Sequence, residues 1–423
     1  MALAVAAFLI VLALIASERV HRTKIALIGA AIVVLFVGEV SQESAIESID
    51  FNTIGLLAGM MLLVHVTQQT GIYDYIAIRA GQLSRGEPFR VVISLATTTA
   101  ILSAFLDNLT TILLVVPVTF LLADALDIDP IPLVLIEILS SNIGGTATLI
   151  GDPPNIIIAG ATGLSFNEFI VNLAPIVLVT LAIVIPLLYL HYRGRLQVTP
   201  ENRRHVMELD ARASISDAQE LRRTVPVLVA TVLAFFAHQA LHIEPATVAL
   251  TGAAVVLLVT KIPIEEALAN IEWPTLFFFI ALFVMVGALE ETGAIAEIAD
   301  GVKSITGGDR TAELLGITWI SAAGSGVVDN IPFTTTMIPV VKELQGSAGA
   351  TGDDAYWWAL ALGACFGGNA TIIAAAANVA ASGLTERAGK PIGFVPFLKV
   401  GVPVTLISIG LATAYISLRY VVL

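Results

Sequence analysis

One stretch constrains this chain more than any other: Ser140-Ser141-Asn142-Ile143-Gly144-Gly145-Thr146-Ala147-Thr148-Leu149-Ile150-Gly151-Asp152-Pro153-Pro154-Asn155. It lies between apolar runs at 131–139 and 156–161, each too short to cross a bilayer alone. A helix in lipid must satisfy its own backbone, and Gly-Gly followed by Pro-Pro prevents that. Irregular backbone at membrane depth persists only where protein buries it or where it lines a wet cavity. Paired, Gly/Pro-interrupted apolar segments in two halves of a chain mark a transporter's binding site. A second copy is present. Gly367-Gly368-Asn369-Ala370-Thr371 leads to Asn378 as Gly144-Gly145-Thr146-Ala147-Thr148 leads to Asn155, and 144 to 367 and 155 to 378 are both steps of 223.

The surroundings are those of a polytopic, all-α membrane protein. Apolar residues make up 57% and charged residues 13%, against roughly 45–50% and about 25% in soluble domains. The net charge of −13 says little about partners until it is assigned to loops, because basic residues set topology and acids contribute little. No nucleic-acid partner is expected. The single cysteine, Cys365, excludes an internal disulfide and a cysteine-based zinc site. Residues 1–17 lack the basic start of a secretory signal and have a counterpart at 224–240, so they read as a retained helix.

Apolar spans fall at about 2–17, 25–40 and 52–69. Residues 71–90, with Arg79, Arg85 and Arg90, read as an interfacial amphipathic helix. Two apolar arms at about 91–126 are joined at Asp107-Asn108 and read as a re-entrant hairpin. The broken helix at about 131–162 follows, then a span at about 169–191. The one long polar connection, 193–223, holds Arg193, Arg195, Arg203, Arg204, Arg212, Arg222 and Arg223.

After this linker the pattern restarts. Thr53 matches Thr275, Thr70-Gly71 matches Thr292-Gly293, and Asp107-Asn108 matches Asp329-Asn330, each 222 residues on; Gly29 matches Gly252 at 223. The chain therefore reads as a duplication, with repeats at 1–192 and 224–423. The second hairpin is expected at about 312–345 and the second broken helix at about 356–384. Five crossings per half is an odd number, so the second repeat must be inverted. Placing the basic loops 18–24, 71–90 and 193–223 inside puts both termini outside, along with the acid-rich 41–50, 290–300 and Asp353-Asp354.

Asp107 and Asp329 sit between apolar arms at the expected hairpin tips, and an ionisable group there is costly and functional by default. The plainer alternative is that each caps the following helix. Their pairing with amides and hydroxyls favours a cation. Asp107, Asn108, Thr110, Asn142 and Gly145 in one half, and Asp329, Asn330, Thr334, Gly368 and Asn369 in the other, offer hard oxygen ligands for Na⁺, or a carboxylate for H⁺. Thr111, Thr146, Thr148, Pro154 and Asn155, with Thr335, Thr371 and Asn378, are the candidate substrate contacts. Half-helix N-termini at the breaks would face an oxygen-rich or anionic solute. Glu137 reads equally as a proton-relay group or a structural acid. Asp152 reads as the cap of the half-helix after Pro153-Pro154, and His65 and His238 as structural histidines. No Arg or Lys is expected at the midplane.

Ser-Asn-Ile-Gly-Gly-Thr-Ala-Thr with Gly-Asp-Pro-Pro-Asn, and the tip motifs Ala104-Phe105-Leu106-Asp107-Asn108 and Val328-Asp329-Asn330-Ile331-Pro332-Phe333-Thr334, resemble the ion transporter superfamily. The resemblance runs from about residue 20 to the C-terminus and is strongest to the branch of arsenical pumps, sodium–proton antiporters and P protein-like permeases. It implies a dimerising scaffold, a mobile transport domain holding both hairpins and both broken helices, and elevator-type alternating access. Related dicarboxylate carriers have Ser-Asn-Thr at the tips, where this chain has Asp107-Asn108-Leu109 and Asp329-Asn330-Ile331.

The reading is a secondary transporter in the plasma membrane, a homodimer by resemblance and not an enzyme, with no cofactor beyond Na⁺ or H⁺ as coupling ion. The expected substrate is a small oxyanion or neutral hydroxide such as arsenite. Na⁺/H⁺ antiport, and Na⁺-coupled dicarboxylate or citrate symport, are the alternatives. An intramembrane aspartyl protease lacks its Gly-x-Gly-Asp context here, and a zinc protease lacks His-Glu-x-x-His.

Overall fold

The computed structural model describes residues 1–17, 19–347 and 354–422; Asp353, expected to face outside, lies outside the described residues. Among the described residues every regular element is helical. Seven helices are long and apolar enough to cross a membrane: Phe51–Gln68, Pro88–Phe105, Asn108–Leu126, Phe166–Tyr192, Trp273–Glu291, Arg310–Val328 and Phe394–Val422. Shorter apolar helices complete the bundle, so this is an all-α polytopic membrane protein.

Two groups of helices are each closely packed and touch one another. In one, Arg22–Phe36 lies along Trp273–Glu291, and Phe51–Gln68 lies along Pro245–Val259. Glycines set these distances. A Cβ on Gly59 would lie 2.7 Å from the backbone of Ala249, and one on Gly29 would lie 2.7 Å from the Met285 sulfur. Close approach through small residues is how apolar helices associate in lipid, where hydrophobic burial offers nothing.

The other group holds the hairpins and the breaks. The first hairpin is Pro88–Phe105 followed by Asn108–Leu126, and the second is Arg310–Val328 followed by Asn330–Ser347. The first broken helix runs Ile131–Gly145, opens, and resumes as Pro153–Thr162. Proline suits these first helical positions because their N–H groups have no partner within the helix. The second broken helix runs Ala355–Gly367 and resumes at Ala376–Arg387, after a short turn at Ile372–Ala374 instead of a Pro-Pro pair.

The contacts between hairpin and broken helix come in pairs 222 or 223 residues apart. Ser103 Oγ donates to Ser141 O at 2.8 Å, and Ser325 Oγ to Ala364 O at 2.6 Å. Thr148 Oγ1 donates to Ala104 O, and Thr371 Oγ1 to Gly326 O. A Cβ on Gly144 would lie 2.4 Å from Ala100 O, and one on Gly367 would lie 2.6 Å from Ala322 O. Any side chain at either glycine would drive the hairpin arm off the half-helix.

The amphipathic helix expected at 71–90 is Ile72–Leu83, and it buries Tyr73, Ala77, Ile78 and Gln82 against the hairpin group; Pro88 already begins the first hairpin arm. The polar linker is tied to this region. Asn202 Nδ2 donates to Leu126 O at 3.1 Å, and Gln82 Nε2 to Leu209 O at 2.6 Å. His238 is structural. Its Nε2 accepts from Phe166 N at 3.2 Å, and its Nδ1 lies 2.9 Å from Ile243 O. The ring of His65 meets Gln69 Nε2 at 3.0 Å.

Candidate functional site

The breaks are held open by two asparagines. Asn155 Nδ2 donates to Thr146 O at 3.0 Å and Thr148 O at 2.8 Å, while Asn378 Nδ2 donates to Gly368 O at 2.7 Å and Thr371 O at 2.8 Å. Each side-chain amide takes the place of backbone N–H groups that an interrupted helix cannot supply, which is the requirement for unwound backbone away from water. Both amides are therefore spent on the breaks, and each keeps only its oxygen for other work. Asn155 Oδ1 accepts from Cys365 Sγ at 3.6 Å.

A third asparagine joins the halves. Asn142 Nδ2 donates to Asn369 Oδ1 and to Asn378 Oδ1, both at 2.9 Å, and its Oδ1 accepts from Asn108 Nδ2 at 3.2 Å. One side chain thus connects both broken helices and the first hairpin tip. All four asparagines are buried.

Asp152 departs most from the sequence expectation. It precedes the half-helix at Pro153, yet its side chain makes no capping hydrogen bond. The two proline nitrogens carry no hydrogen, and the next N–H, that of Asn155, donates to the backbone O of Asp152 at 3.0 Å. The carboxylate turns instead toward the hairpin tips. Its Oδ1 accepts from Asn108 Nδ2 at 3.2 Å and from Asn330 Nδ2 at 3.1 Å, one amide from each hairpin. The residue is fully buried, and its Oδ2 has no hydrogen-bond partner. A buried carboxylate oxygen left this way is costly, which marks it as a place for a proton or a cation.

The two tip acids behave differently from each other. Asp107 does cap: its Oδ1 accepts from Thr110 N at 2.8 Å, and Thr110 Oγ1 donates to its Oδ2. Asp329 adopts φ 119°, a backbone conformation strained for a non-glycine residue. Its Oδ1 accepts from Ile331 N at 3.0 Å, and its Oδ2 pairs with Arg22 Nη1 at 2.9 Å. Arg22 starts the helix Arg22–Phe36, so a cation does reach a hairpin tip, contrary to the sequence expectation. Both tip acids lie near enough to Asp152 for their charges to act on it.

The other expected residues divide by what their groups already do. Thr334 and Thr335 donate to carbonyls one turn back, Asn330 O at 2.7 Å and Ile331 O at 3.0 Å, and Thr146 donates to Asn142 O at 2.8 Å. Their protons are committed while their lone pairs stay available. Thr111 Oγ1 is buried with no partner. Gly145 is packed against Gly151 O, and Gly368 lies near Asn330 Nδ2. Pro154 is buried in the first turn of its half-helix. Glu137 is fully buried, accepts from Thr119 Oγ1 at 2.6 Å, and has its second oxygen unpartnered.

A cavity of about 540 Å³ opens beside this cluster, lined among others by His21, Arg22, Leu109, Glu272, Thr275, Asp329 and Ala376. It lies where the two helix groups meet both hairpin tips and the second half-helix. Among the described residues, no group of His, Cys, Asp and Glu forms a metal-binding cluster.

The sequence pattern of citrate transporters (CitMHS) matches residues 12–363. The chain belongs to this family. A transporter of Mycobacterium tuberculosis that is described as uncharacterized is 45% identical over 427 residues, with 99% of each chain covered. The P protein of Mus musculus is 34% identical over 491 residues, covering 97% of this chain and 59% of the P protein. Among solved structures, the YdaH transporter of Alcanivorax borkumensis has a similar fold, with a TM-score of 0.59, 15% identity, and 89% and 87% of the two chains covered. The citrate transporter family thus includes this chain as a multi-pass membrane transporter, in line with the resemblance carried by the tip and break motifs.

Proposed function

We propose that this member of the citrate transporter family is a secondary active carrier for a small oxyanion or neutral hydroxide of the arsenite kind, coupled to Na⁺ or H⁺. One observation carries the coupling: Asp152, buried, with one oxygen shared by amides from both hairpin tips and the other unpartnered. A cation placed there draws both hairpins and a broken helix onto one charge. The cation ligands are Asp152, Asp107, Asp329, Asn108, Asn330 and Asn142. The solute enters through the adjoining cavity, where Arg22, His21, Thr275 and the start of the half-helix at Ala376 line the wall, with Thr335 and Thr371 as candidate contacts beyond it.

The charge around the cavity favours a singly charged or neutral solute. Asp329 and Glu272 line it, and Arg22 is its one Arg or Lys among the described residues. A tricarboxylate would meet more negative than positive charge. Na⁺/H⁺ exchange is favoured by the same excess of acid and is the second reading. Proteoliposomes with imposed Na⁺ or pH gradients and a panel of arsenite, phosphate, citrate, succinate and no added solute decide between them. The expected result is arsenite accumulation against its gradient, lost when an ionophore collapses the cation gradient. Cation exchange with no solute flux would establish the second reading, and citrate accumulation would overturn both.

The paired contacts support an alternating-access reading. Residues 1–192 and 224–423 act as inverted repeats joined by a cytoplasmic linker at 193–223. The hairpins and breaks move as one body against a scaffold that dimerises. Single cysteines at His205 and Glu297 test the orientation: membrane-impermeant maleimide added outside intact cells should label position 297 and spare 205. Labelling of both from the same side would overturn the inversion.

A further inference from the structure

Arg22 stands where nothing in local helix chemistry favours it. It occupies the first position of its helix, the positive end of the helix dipole, where a cation is disfavoured. Thr23 Oγ1 anchors this helix start to Pro274 O at 2.8 Å, so Arg22 belongs to the group built on Trp273–Glu291. Its guanidinium lies over the Phe278 ring at 5.1 Å and pairs with Asp329 Oδ2 at 2.9 Å. Asp329 belongs to the other group, at a tip with strained backbone. The pair therefore bridges two bodies across the wall of the cavity.

The duplication sharpens the point. At the step of 223 that relates Gly29 to Gly252 and the helix start at 22 to that at 245, the position matching Arg22 is Pro245, and the partner of Asp329 in the first half is Asp107. A proline at 245 cannot hold Asp107 as Arg22 holds Asp329. Among the described residues, only the second hairpin tip has a built-in cation.

We infer that Arg22 is an internal stand-in for the coupling cation: it occupies Asp329 until an inorganic monovalent cation replaces it, and the freed guanidinium then contacts the oxyanion in the cavity. The inference rests on the cation-coupled reading above. Cation binding and anion binding are thereby linked through one exchange of partners. An anion binding first draws Arg22 from Asp329 and opens the carboxylate to the cation. Coupling of this kind is reciprocal, so each ligand tightens the other by the same factor.

The test measures Na⁺ binding by calorimetry at alkaline pH on purified wild-type, Arg22→Gln and Arg22→Lys proteins, with no solute present. Removing the internal competitor should tighten Na⁺ binding at least tenfold in Arg22→Gln. Arg22→Lys keeps the charge and should stay within about threefold of wild type. Adding arsenite should tighten Na⁺ binding in wild type and have no such effect in Arg22→Gln. A purely structural role for Arg22 predicts weaker or unchanged Na⁺ binding in a monodisperse Arg22→Gln protein, and that result overturns the inference while leaving the coupled reading in place. Absence of Na⁺ binding in all three proteins removes Na⁺ from these acids, and the inference goes with it.

Discussion

Replacing Asp152 by Asn should abolish gradient-driven transport while leaving the protein folded. The amide keeps the shape and retains an oxygen to accept from Asn108 and Asn330. What changes is the unpartnered Oδ2, replaced by a donor that repels a cation. Two unit charges 4 Å apart interact by about 4 kcal/mol at an effective dielectric of 20, which corresponds to roughly a thousandfold in cation affinity. Na⁺- or H⁺-driven uptake in proteoliposomes is therefore expected to fall at least a hundredfold. Solute–solute exchange, which needs no net cation movement, should persist, because Asn142, Asn155 and Asn378 still hold the breaks open. Thermal unfolding in detergent checks the fold, with a midpoint near that of wild type expected. Undiminished coupled uptake in a folded Asp152→Asn protein would return this residue to a structural role.

The importance of Asp152 is hidden from the sequence for a definite reason. Duplication draws the eye to residues that recur, and 152 plus 223 falls on Ala375. Arg22 is similarly unmatched, since its counterpart is Pro245, and Glu137 corresponds to Leu360. Residues that break the symmetry of a repeat are those by which two similar halves do different jobs, and comparison within the chain passes over them. One local signal was available for Asp152: an acid directly before two prolines lacks the first two N–H groups of the helix that follows.

Other features were legible because they rest on backbone chemistry. Gly144-Gly145 and Pro153-Pro154 cannot continue a helix, and the structure opens between residues 145 and 153. The joins at Asp107 and Asp329 lie where helices meet. The difference between the two acids was not legible. Asp107 spends its oxygens on Thr110, and Asp329 finds Arg22 from a helix more than three hundred residues away in sequence. No periodicity encodes a contact of that range.

Protons and Na⁺ should compete for the acids at the hairpin tips and the break. A carboxylate that holds a proton has no charge to offer Na⁺, so Na⁺ affinity weakens as pH falls through the range where these groups take up protons, and is constant above it. Competition for a single carboxylate limits the slope to about tenfold per pH unit, worth roughly 1.4 kcal/mol. The proximity of Asp107 and Asp329 to Asp152 makes the acids lose their protons in separate steps, so a slope steeper than this would mean that one Na⁺ displaces two protons. Calorimetric Na⁺ titrations without solute, from mildly acidic to alkaline pH, measure the slope directly. Asp107→Asn should lower it only slightly, since that carboxylate is engaged in capping Asn108–Leu126. Asp329→Asn should flatten it more, because there the proton, Na⁺ and Arg22 all contend for one group. A wild-type affinity that stays flat across the range would mean that Na⁺ does not share these carboxylates. Undetectable Na⁺ binding together with uptake driven by a pH gradient would assign them to protons alone.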